Sequence, residues 1–144
     1  MDAKLKRERG FESTLNGAKG RILIVDDDAM VAEVLSAQLV SAGYQVEIEM
    51  NPARAVTRLL EDGAGISIVY CDLMMPGMSG MDVEAAVRNR CPASADKLVF
   101  MTGGAYSPTA QRFVADHAAV SVGKPFNIVR DAACRLASHT AAKA

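Results

Sequence analysis

Residues 66–72 read Ile-Ser-Ile-Val-Tyr-Cys-Asp, a run that is apolar nearly throughout and ends in a carboxylate. Residues 22–28 have the same form, with Ile-Leu-Ile-Val followed by three aspartates. A strand with one face in water alternates apolar and polar residues, whereas a strand of a parallel sheet is covered on both faces and is apolar throughout. These two stretches therefore predict strands of a parallel sheet with helices on both faces.

Short apolar runs alternate with helical patterns along most of the chain. The runs lie at residues 22–25, 46–48, 66–71, 98–101 and 120–122, and the helical patterns at 29–42, 52–62, 81–90, 107–116 and 127–138. Five repeats of strand and helix predict a doubly wound α/β fold, with a five-stranded parallel sheet and five helices. The strand order that we expect is 2-1-3-4-5, one of the two common orders in such sheets.

Local chemistry supports the boundaries of these helices. The pairs Asn51-Pro52 and Ser107-Pro108 each place a capping side chain before a proline at the first helical position. Gly43 is typical of the residue that ends a helix, here the first one.

The length of 144 residues suits one domain and leaves no room for a second catalytic or DNA-binding domain. We expect the domain at residues 21–140, with tails at 1–20 and 141–144. The first tail is rich in Lys and Arg and has few apolar residues, which predicts a flexible, solvated segment. A basic docking arm is the alternative.

Composition limits the partners. A net charge of −1 offers no general attraction to nucleic acid or to an anionic membrane. No run approaches the roughly 18 apolar residues of a membrane span. The cysteines Cys71, Cys91 and Cys134 are odd in number and are not closely paired, which indicates reduced thiols. We therefore expect a cytoplasmic protein with no nucleic-acid or membrane partner.

Polar residues follow four of the predicted strands, where ligands bind in sheets of this class. They are Asp26, Asp27 and Asp28 after strand one, Asp72 after strand three, Thr102 after strand four and Lys124 after strand five. In the expected strand order, Asp26 and Asp27 lie beside Asp72. Carboxylates this close disfavour joint ionisation unless a cation offsets them, and Mg²⁺ takes oxygen ligands of this kind.

Phosphoryl transfer needs this set of groups: a carboxylate nucleophile, a divalent cation and donors for the phosphoryl oxygens. Asp72 is the candidate nucleophile, and Asp26 and Asp27 are candidate Mg²⁺ ligands. Lys124 would pair with Asp72 or the phosphoryl group, and the Thr102 hydroxyl would donate to a phosphoryl oxygen.

Four motifs occur in a characteristic order. They are Ile-Val-Asp-Asp-Asp at 24–28, Asp-Leu-Met-Met-Pro-Gly-Met-Ser-Gly at 72–80, Met-Thr at 101–102 and Lys-Pro-Phe at 124–126. Together they resemble the receiver domains of two-component signal transduction, which have a flavodoxin-like fold. The sequence around Asp72 looks most like that of single-domain response regulators and of the receivers of hybrid histidine kinases.

The resemblance implies a phosphoacceptor rather than a turnover enzyme. A histidine kinase or histidine phosphotransfer protein would phosphorylate Asp72 in a phosphorelay, and the domain, a monomer or weak dimer, would act on a downstream protein target. Asp27, Asp72 and the Met74 carbonyl would bind Mg²⁺, with Asp26 acting through a water. Asp28 would cap the first helix and lie outside the site.

Two further expectations follow from the resemblance. The Lys124–Pro125 peptide bond should be cis, since receivers use that bond to aim the lysine into the site. Ser121 stands three residues before the lysine, where the family often has Tyr or Phe. That ring turns inward when the threonine moves to the phosphoryl group, so we expect a weaker switch here.

Two other functions fit the residues less well. A haloacid-dehalogenase-like phosphatase also uses an aspartate nucleophile and Mg²⁺, but it needs a second aspartate two residues after the first, where this chain has Met74. An interaction module that signals without phosphorylation is the second, and the intact set of acidic, threonine and lysine residues argues against it.

Overall fold

The structure is a computed structural model that describes residues 19–104 and 107–143. Of the predicted N-terminal tail only Lys19 and Gly20 are described, and residues 1–18 lie outside the described part. Ala144, the last residue of the predicted C-terminal tail, also lies outside it. The proposed limits of the tails therefore stay predictions.

Strands and helices alternate along the chain. The strands are β1 (Arg21–Val25), β2 (Gln45–Glu49), β3 (Ile68–Asp72), β4 (Leu98–Thr102) and β5 (Ser121–Gly123). The α-helices are α1 (Ala29–Ser41), α2 (Pro52–Asp62), α3 (Gly80–Arg90), α4 (Pro92–Ala95), α5 (Pro108–Asp116) and α6 (Ile128–Lys143). Short 3-10 turns lie at Gly63–Gly65 and Ala118–Val120.

The five strands form one parallel sheet in the order β2-β1-β3-β4-β5. Val25 at the end of β1 pairs with Cys71 in β3, and Asp72 pairs with Met101 in β4. The predicted doubly wound α/β fold and its strand order are confirmed. Because β1 and β3 are neighbours in register, the residues that follow Val25 lie beside Asp72.

Side chains of β3 pack alternately into two apolar layers, one on each face of the sheet. Val69 and Cys71 belong to the layer that also contains Phe100. Ile68 and Tyr70 belong to the opposite layer. All five residues of β3 are buried, which explains why this strand lacks the alternation of a half-exposed one.

Side chains cap the helices at the predicted positions. Asn51 accepts hydrogen bonds from two amide groups in the first turn of α2, and Ser107 accepts one from Ala110 in α5. Gly43 has a φ of 103° and follows the last turn of α1. Its amide donates to Val40, and the next amide, of Tyr44, donates to Leu39, which is a glycine-terminated Schellman motif.

Four local features differ from the sequence prediction. The last helix, predicted to end at residue 138, continues to Lys143. A sixth helix, α4, is present in the described part; a single turn that begins at Pro92 is too short to show helical periodicity. The third strand begins at Ile68 rather than at Ile66, because the Gly63–Gly65 turn holds Ile66 by a bond from its amide to the Gly63 carbonyl. Val120 closes a 3-10 turn, so the fifth strand begins one residue later than predicted.

Within residues 19–104 and 107–143, no helix combines the length and the apolar character that crossing a membrane requires.

Candidate functional site

Three carboxylates converge at the carboxyl ends of β1 and β3. One side-chain oxygen from each of Asp26, Asp27 and Asp72 lies within 4.8 Å of the others. Asp26 is fully buried, Asp72 is 9% exposed and Asp27 is exposed. Two carboxylates of the cluster are thus buried and one, Asp27, is exposed. A cation that enters from solvent would contact Asp27 first.

Lys124 contacts the two buried members of this cluster. Its Nζ lies 3.2 Å from Oδ1 of Asp72 and 3.3 Å from Oδ2 of Asp26. The Lys124 amide donates to the Thr102 carbonyl at 2.7 Å, which fixes the end of β5 against β4. The Lys124–Pro125 peptide bond is cis, as predicted. One ammonium group therefore partly offsets two carboxylates.

Asp26 and Asp28 are two residues apart, but their carboxylates have different hydrogen-bond partners. Oδ1 of Asp26 accepts a hydrogen bond from the Asp28 amide at 2.9 Å, so both oxygens of Asp26 have partners. Asp28 instead accepts from the amides of Met30 and Val31 and caps α1. The predicted cap at Asp28 is confirmed, and its carboxylate is committed to the helix rather than to the acidic cluster.

The environment changes the ionisation of Asp72 and Lys124. Burial and the nearby Asp26 carboxylate raise the pKa of Asp72, while Lys124 acts to lower it. Burial acts to lower the pKa of Lys124, but the charges and hydrogen bonds of Asp72 and Asp26 outweigh it and raise the pKa overall. The lysine therefore stays protonated, and Asp72 holds its negative charge at a cost that a further cation would reduce.

Thr102 and Met74, the other predicted site residues, also lie at this edge of the sheet. Thr102 is the last residue of β4, is 7% exposed, and donates a long hydrogen bond of 3.5 Å from its hydroxyl to the Val122 carbonyl. Met74 follows β3 by two residues, and its side chain is 47% exposed. The Leu73 amide between Asp72 and Met74 donates to the Met101 carbonyl at 3.0 Å, so the loop begins tied to β4.

Gly80 shapes the same loop, and the sequence reasoning assigned it no role. Its amide donates to the Leu73 carbonyl at 2.8 Å, which folds the loop between β3 and α3 back onto its own start. A Cβ at this position would lie 2.8 Å from the Asp72 carbonyl oxygen and 2.9 Å from the Leu73 Cα. Only a glycine fits there without moving the backbone of the candidate nucleophile.

Ser121, the predicted departure from the family pattern, is half-buried in β5 opposite Phe100. Its hydroxyl donates to the His117 carbonyl at 2.8 Å. The serine is therefore bonded to the end of α5, and His117 itself stacks on Phe113 with 3.9 Å between ring centroids.

The chemistry of the acidic cluster suits a hard divalent cation. All of its donors are carboxylate oxygens, the ligand type that Mg²⁺ prefers, and the Asp27 carboxylate is open to solvent. The buried Asp26 and Asp72 carry more negative charge than Lys124 alone balances. These residues fit a bound Mg²⁺.

The fold and the site together define a class: a doubly wound α/β domain with an acidic, lysine-paired site at the carboxyl edge of its parallel sheet. A model of the response regulator receiver domain family matches residues 22–131. The chain belongs to this family, which confirms the resemblance seen in its motifs. Receiver domains are phosphorylated signalling modules of two-component systems, and they bind Mg²⁺ at an acidic pocket.

Two curated relatives cover about half of the chain. The "Uncharacterized transcriptional regulatory protein YkoG" of Bacillus subtilis (strain 168) is 40% identical over 70 residues, which are 49% of this chain and 30% of the relative. The DNA-binding response regulator MtrA of Mycobacterium tuberculosis (strain ATCC 25618 / H37Rv) is 40% identical over 68 residues, 47% of this chain and 29% of the relative. The match thus spans less than a third of either relative's length.

Solved receiver domains share the fold over most of the chain. A response regulator receiver domain protein from Clostridium thermocellum has a TM-score of 0.69 at 19% identity, covering 86% of this chain and 96% of that one. A CheY-like receiver domain protein from Methanospirillum hungatei JF-1 has a TM-score of 0.67 at 25% identity, covering 83% of this chain and 92% of that one.

Proposed function

We propose that this receiver domain accepts a phosphoryl group on Asp72 from a phosphohistidine of a histidine kinase or histidine phosphotransfer protein, with Mg²⁺ bound at the acidic cluster. The observation that carries the proposal is the contact of one lysine, Lys124, with both Asp72 and Asp26 beside the solvent-facing Asp27. A lone structural ion pair would not need a third carboxylate, Asp27, beside the two that the ammonium group contacts.

The proposed reaction joins one oxygen of the Asp72 carboxylate to phosphorus while the bond from phosphorus to the donor imidazole nitrogen breaks. The electron pair of the broken bond stays on that nitrogen, which regains a proton from solvent. The product is an aspartyl phosphate on Asp72. Hydrolysis by water returns the carboxylate and inorganic phosphate.

Each residue around Asp72 has a separate role in this proposal. Asp27, Asp72 and the Met74 carbonyl would bind Mg²⁺, and Asp26 would act through a water held on it. The cation would neutralise the negative charge that develops on the phosphoryl oxygens. Lys124 would pair with a phosphoryl oxygen once Asp72 is esterified, and the Thr102 hydroxyl would turn from Val122 to donate to another.

The proposal treats the protein as a phosphoacceptor and not as a turnover enzyme. A phosphatase of the haloacid-dehalogenase type needs a carboxylate two residues after its nucleophile to protonate the leaving group. The residue there is Met74, which has no titratable group. Self-phosphorylation and self-dephosphorylation at Asp72 are the activities that we expect.

Signal output is proposed to pass through contacts with a downstream protein. MtrA is a DNA-binding response regulator, and the segment that matches this chain covers 29% of it. For this chain we propose no direct contact of the receiver domain with nucleic acid, because its net charge of −1 provides no general attraction to phosphates. A cytoplasmic location and a monomeric or weakly dimeric state belong to the same proposal.

Incubation with the small phosphodonor acetyl phosphate tests the proposal. The intact mass of the protein should increase by one phosphoryl group in Mg²⁺ and should stay unchanged after chelation. Asp72→Asn should take up nothing, while Asp28→Asn is the matched control, because it changes a neighbouring aspartate that caps α1. Equal labelling of Asp72→Asn and the unmodified protein would overturn the assignment. Efficient turnover of a generic phosphate ester would favour the phosphatase instead.

A further inference from the structure

A groove of about 1120 Å³ lies at the edge of the sheet opposite the acidic cluster, where strands β3, β4 and β5 begin. We call it the basal groove. Ile68, Val99, Val120 and Leu136 are among the apolar residues that line it. Its lining is largely apolar, so its burial by a further chain segment would remove apolar surface from water.

A hydrogen-bond chain fixes one wall of the basal groove. The hydroxyl of the buried Tyr70 donates to Oδ2 of Asp131 at 2.6 Å. The same oxygen accepts from Nε of Arg135 at 2.7 Å, and Nη1 of Arg135 donates to the Ala119 carbonyl at 3.1 Å. These hydrogen bonds hold α6 against the sheet and against the turn before β5, so this wall of the groove is held in place by the fold.

The charged residues of the basal groove already have partners. Asp131 pairs with Arg135, Asp96 pairs with Arg88, and Lys97 donates to the Gly63 carbonyl. A small charged ligand would have to compete with these contacts. The groove is therefore better suited to an occupant that binds through apolar side chains.

The described chain begins at the mouth of this groove. A Cβ on Gly20 would lie 3.1 Å from the Ser67 hydroxyl and 3.5 Å from Leu136 Cδ1, and both residues line the groove. Residues 1–18 precede this point, and they contain four large apolar residues, Met1, Leu5, Phe11 and Leu15. The occupant is thus connected to the chain at the place where the groove opens.

The preceding segment is long enough to cross the groove. Phe11 is eight residues before Lys19, a reach of roughly 26–29 Å for an extended chain. From β1 to β5 there are three strand spacings of roughly 4.8 Å each. Both Phe11 and Leu15 are within reach of the apolar walls.

We propose that residues 5–15 of this chain dock in the basal groove, with Phe11 and Leu15 as the apolar contacts. The segment then covers the residues of α6 that line the groove, Cys134 among them. The four cations at Lys4, Lys6, Arg7 and Arg9 stay in solvent in this arrangement. This proposal does not depend on phosphorylation of Asp72.

The thiol of Cys134 provides a direct probe, because it is exposed and lines the basal groove. Cys71 is buried, and Cys91→Ser removes the partly buried third thiol. In this background we measure the rate at which iodoacetamide alkylates Cys134, by intact mass. The docked segment shields the thiol, so Phe11→Ser with Leu15→Ser should raise the rate. The increase should be about fivefold for a docked population of about 80%.

The matched control is Lys4→Ser with Lys6→Ser, which changes the charge of the same segment but none of its large apolar residues. Its alkylation rate should equal that of the parent. Equal rates in all three proteins would overturn the proposal and leave the groove open to a separate partner. A faster rate in the lysine variant alone would overturn the apolar contacts, and a parent rate that falls with increasing protein concentration would assign the groove to a second copy of the chain.

Discussion

Lys124 pairs with two buried carboxylates at once and partly offsets their charge, and this influences the ionisation of Asp72. Its ammonium group is 3.2 Å from Asp72 and 3.3 Å from Asp26, and Asp26 is fully buried. Burial is the largest cause of the raised pKa of Asp72, and the charge of Asp26 is the second. Lys124 opposes both effects. The lysine is thus a positioned counter-charge for Asp72, in addition to the contact with a phosphoryl group that we propose for it.

Replacing Lys124 by Met should raise the pKa of Asp72 further, because the group that stabilises its carboxylate is lost. The protonated, non-nucleophilic form of Asp72 then persists to higher pH. Because folding raises the pKa of Asp72, protonated Asp72 stabilises the folded state at low pH, and this stabilisation is lost as pH rises through the folded-state pKa of Asp72. Lys124→Met should move that loss to higher pH. A carboxyl-carbon NMR titration of Asp72 measures the shift, and phosphorylation by acetyl phosphate should slow by roughly two orders of magnitude.

Lys19→Met is the matched control for this change. Lys19 is also a lysine, but it lies at the start of β1, where its amide donates to the Gly43 carbonyl at the opposite edge of the sheet. Its removal should leave the Asp72 titration unchanged. An unaltered pKa of Asp72 in Lys124→Met would show that the ion pair does not control the nucleophile.

The acidic residues of the site could be predicted from the sequence, whereas Gly80 could not. Asp26, Asp27 and Asp72 follow apolar strands, and parallel strands end at one edge, so their meeting depends only on strand order. The role of Gly80 depends on how closely two backbone segments approach, 2.8 Å from its Cβ position to the Asp72 carbonyl. The pattern places this glycine in a loop but contains no information about that distance.

At the scale of elements, the loop between β3 and α3 is held by Gly80. Substitution of Gly80 by Ala should destabilise the fold by about 1–3 kcal/mol, because the new methyl group overlaps the backbone of Asp72 and Leu73. Gly103→Ala is the matched control in the same region: nothing lies within 4 Å of its Cβ position. Its effect should stay within about 0.5 kcal/mol.

Urea unfolding of the two glycine variants gives both free energies. If Gly80→Ala proved as stable as Gly103→Ala, the close approach between α3 and the end of β3 would be contradicted.

Helix α1 depends on Asp28 in a way that is separate from the acidic cluster. The Asp28 side chain accepts from the amides of Met30 and Val31, so Asp28→Ala should lower the free energy of unfolding by about 0.5–2 kcal/mol. Mg²⁺ affinity, measured by calorimetric titration, should change little in this variant. Asp27→Ala should show the reverse, with weak Mg²⁺ binding and nearly unchanged stability, and loss of binding in Asp28→Ala would place Asp28 in the site.

Elements were predicted well where hydrophobic periodicity extends over several turns. The helix Pro52–Asp62 has the predicted bounds, because a cap and a proline mark its start. The short helix Pro92–Ala95 and the turn at Ala118–Val120 were missed. Each occupies three or four residues, fewer than the repeat needed to distinguish a helix from an irregular segment.

In the whole molecule, Ser121 belongs to β5, which contributes to the face formed by α5, β5 and α6. Its hydroxyl is bonded to the His117 carbonyl at 2.8 Å, and the family often has a ring at this position. A buried aromatic removes roughly 150–250 Å² from water, and serine offers no such area to drive a two-state change. The link between Thr102 and this face should therefore be weak.

Activation by beryllofluoride, which mimics the phosphoryl group, should accordingly change the loops around Asp72 and Thr102 and leave the α5–β5–α6 face little altered. Amide exchange should slow in those loops, and sedimentation should show a monomer or weak dimer with and without activation. Asp72→Asn is the control that should not respond at all. Tight dimers formed on activation, with strong protection of α5 and β5, would contradict the expected weak coupling.

Chemical trapping of the aspartyl phosphate tests directly whether Asp72 is the phosphoacceptor of this receiver domain. Borohydride reduces an aspartyl phosphate to homoserine, so the protein is phosphorylated with acetyl phosphate in Mg²⁺, reduced, digested and sequenced by mass spectrometry. We predict homoserine at position 72 and at no other aspartate, and none when Mg²⁺ is chelated. Homoserine at Asp26 or Asp27 instead, or no homoserine in a protein that has gained phosphate, would contradict the account.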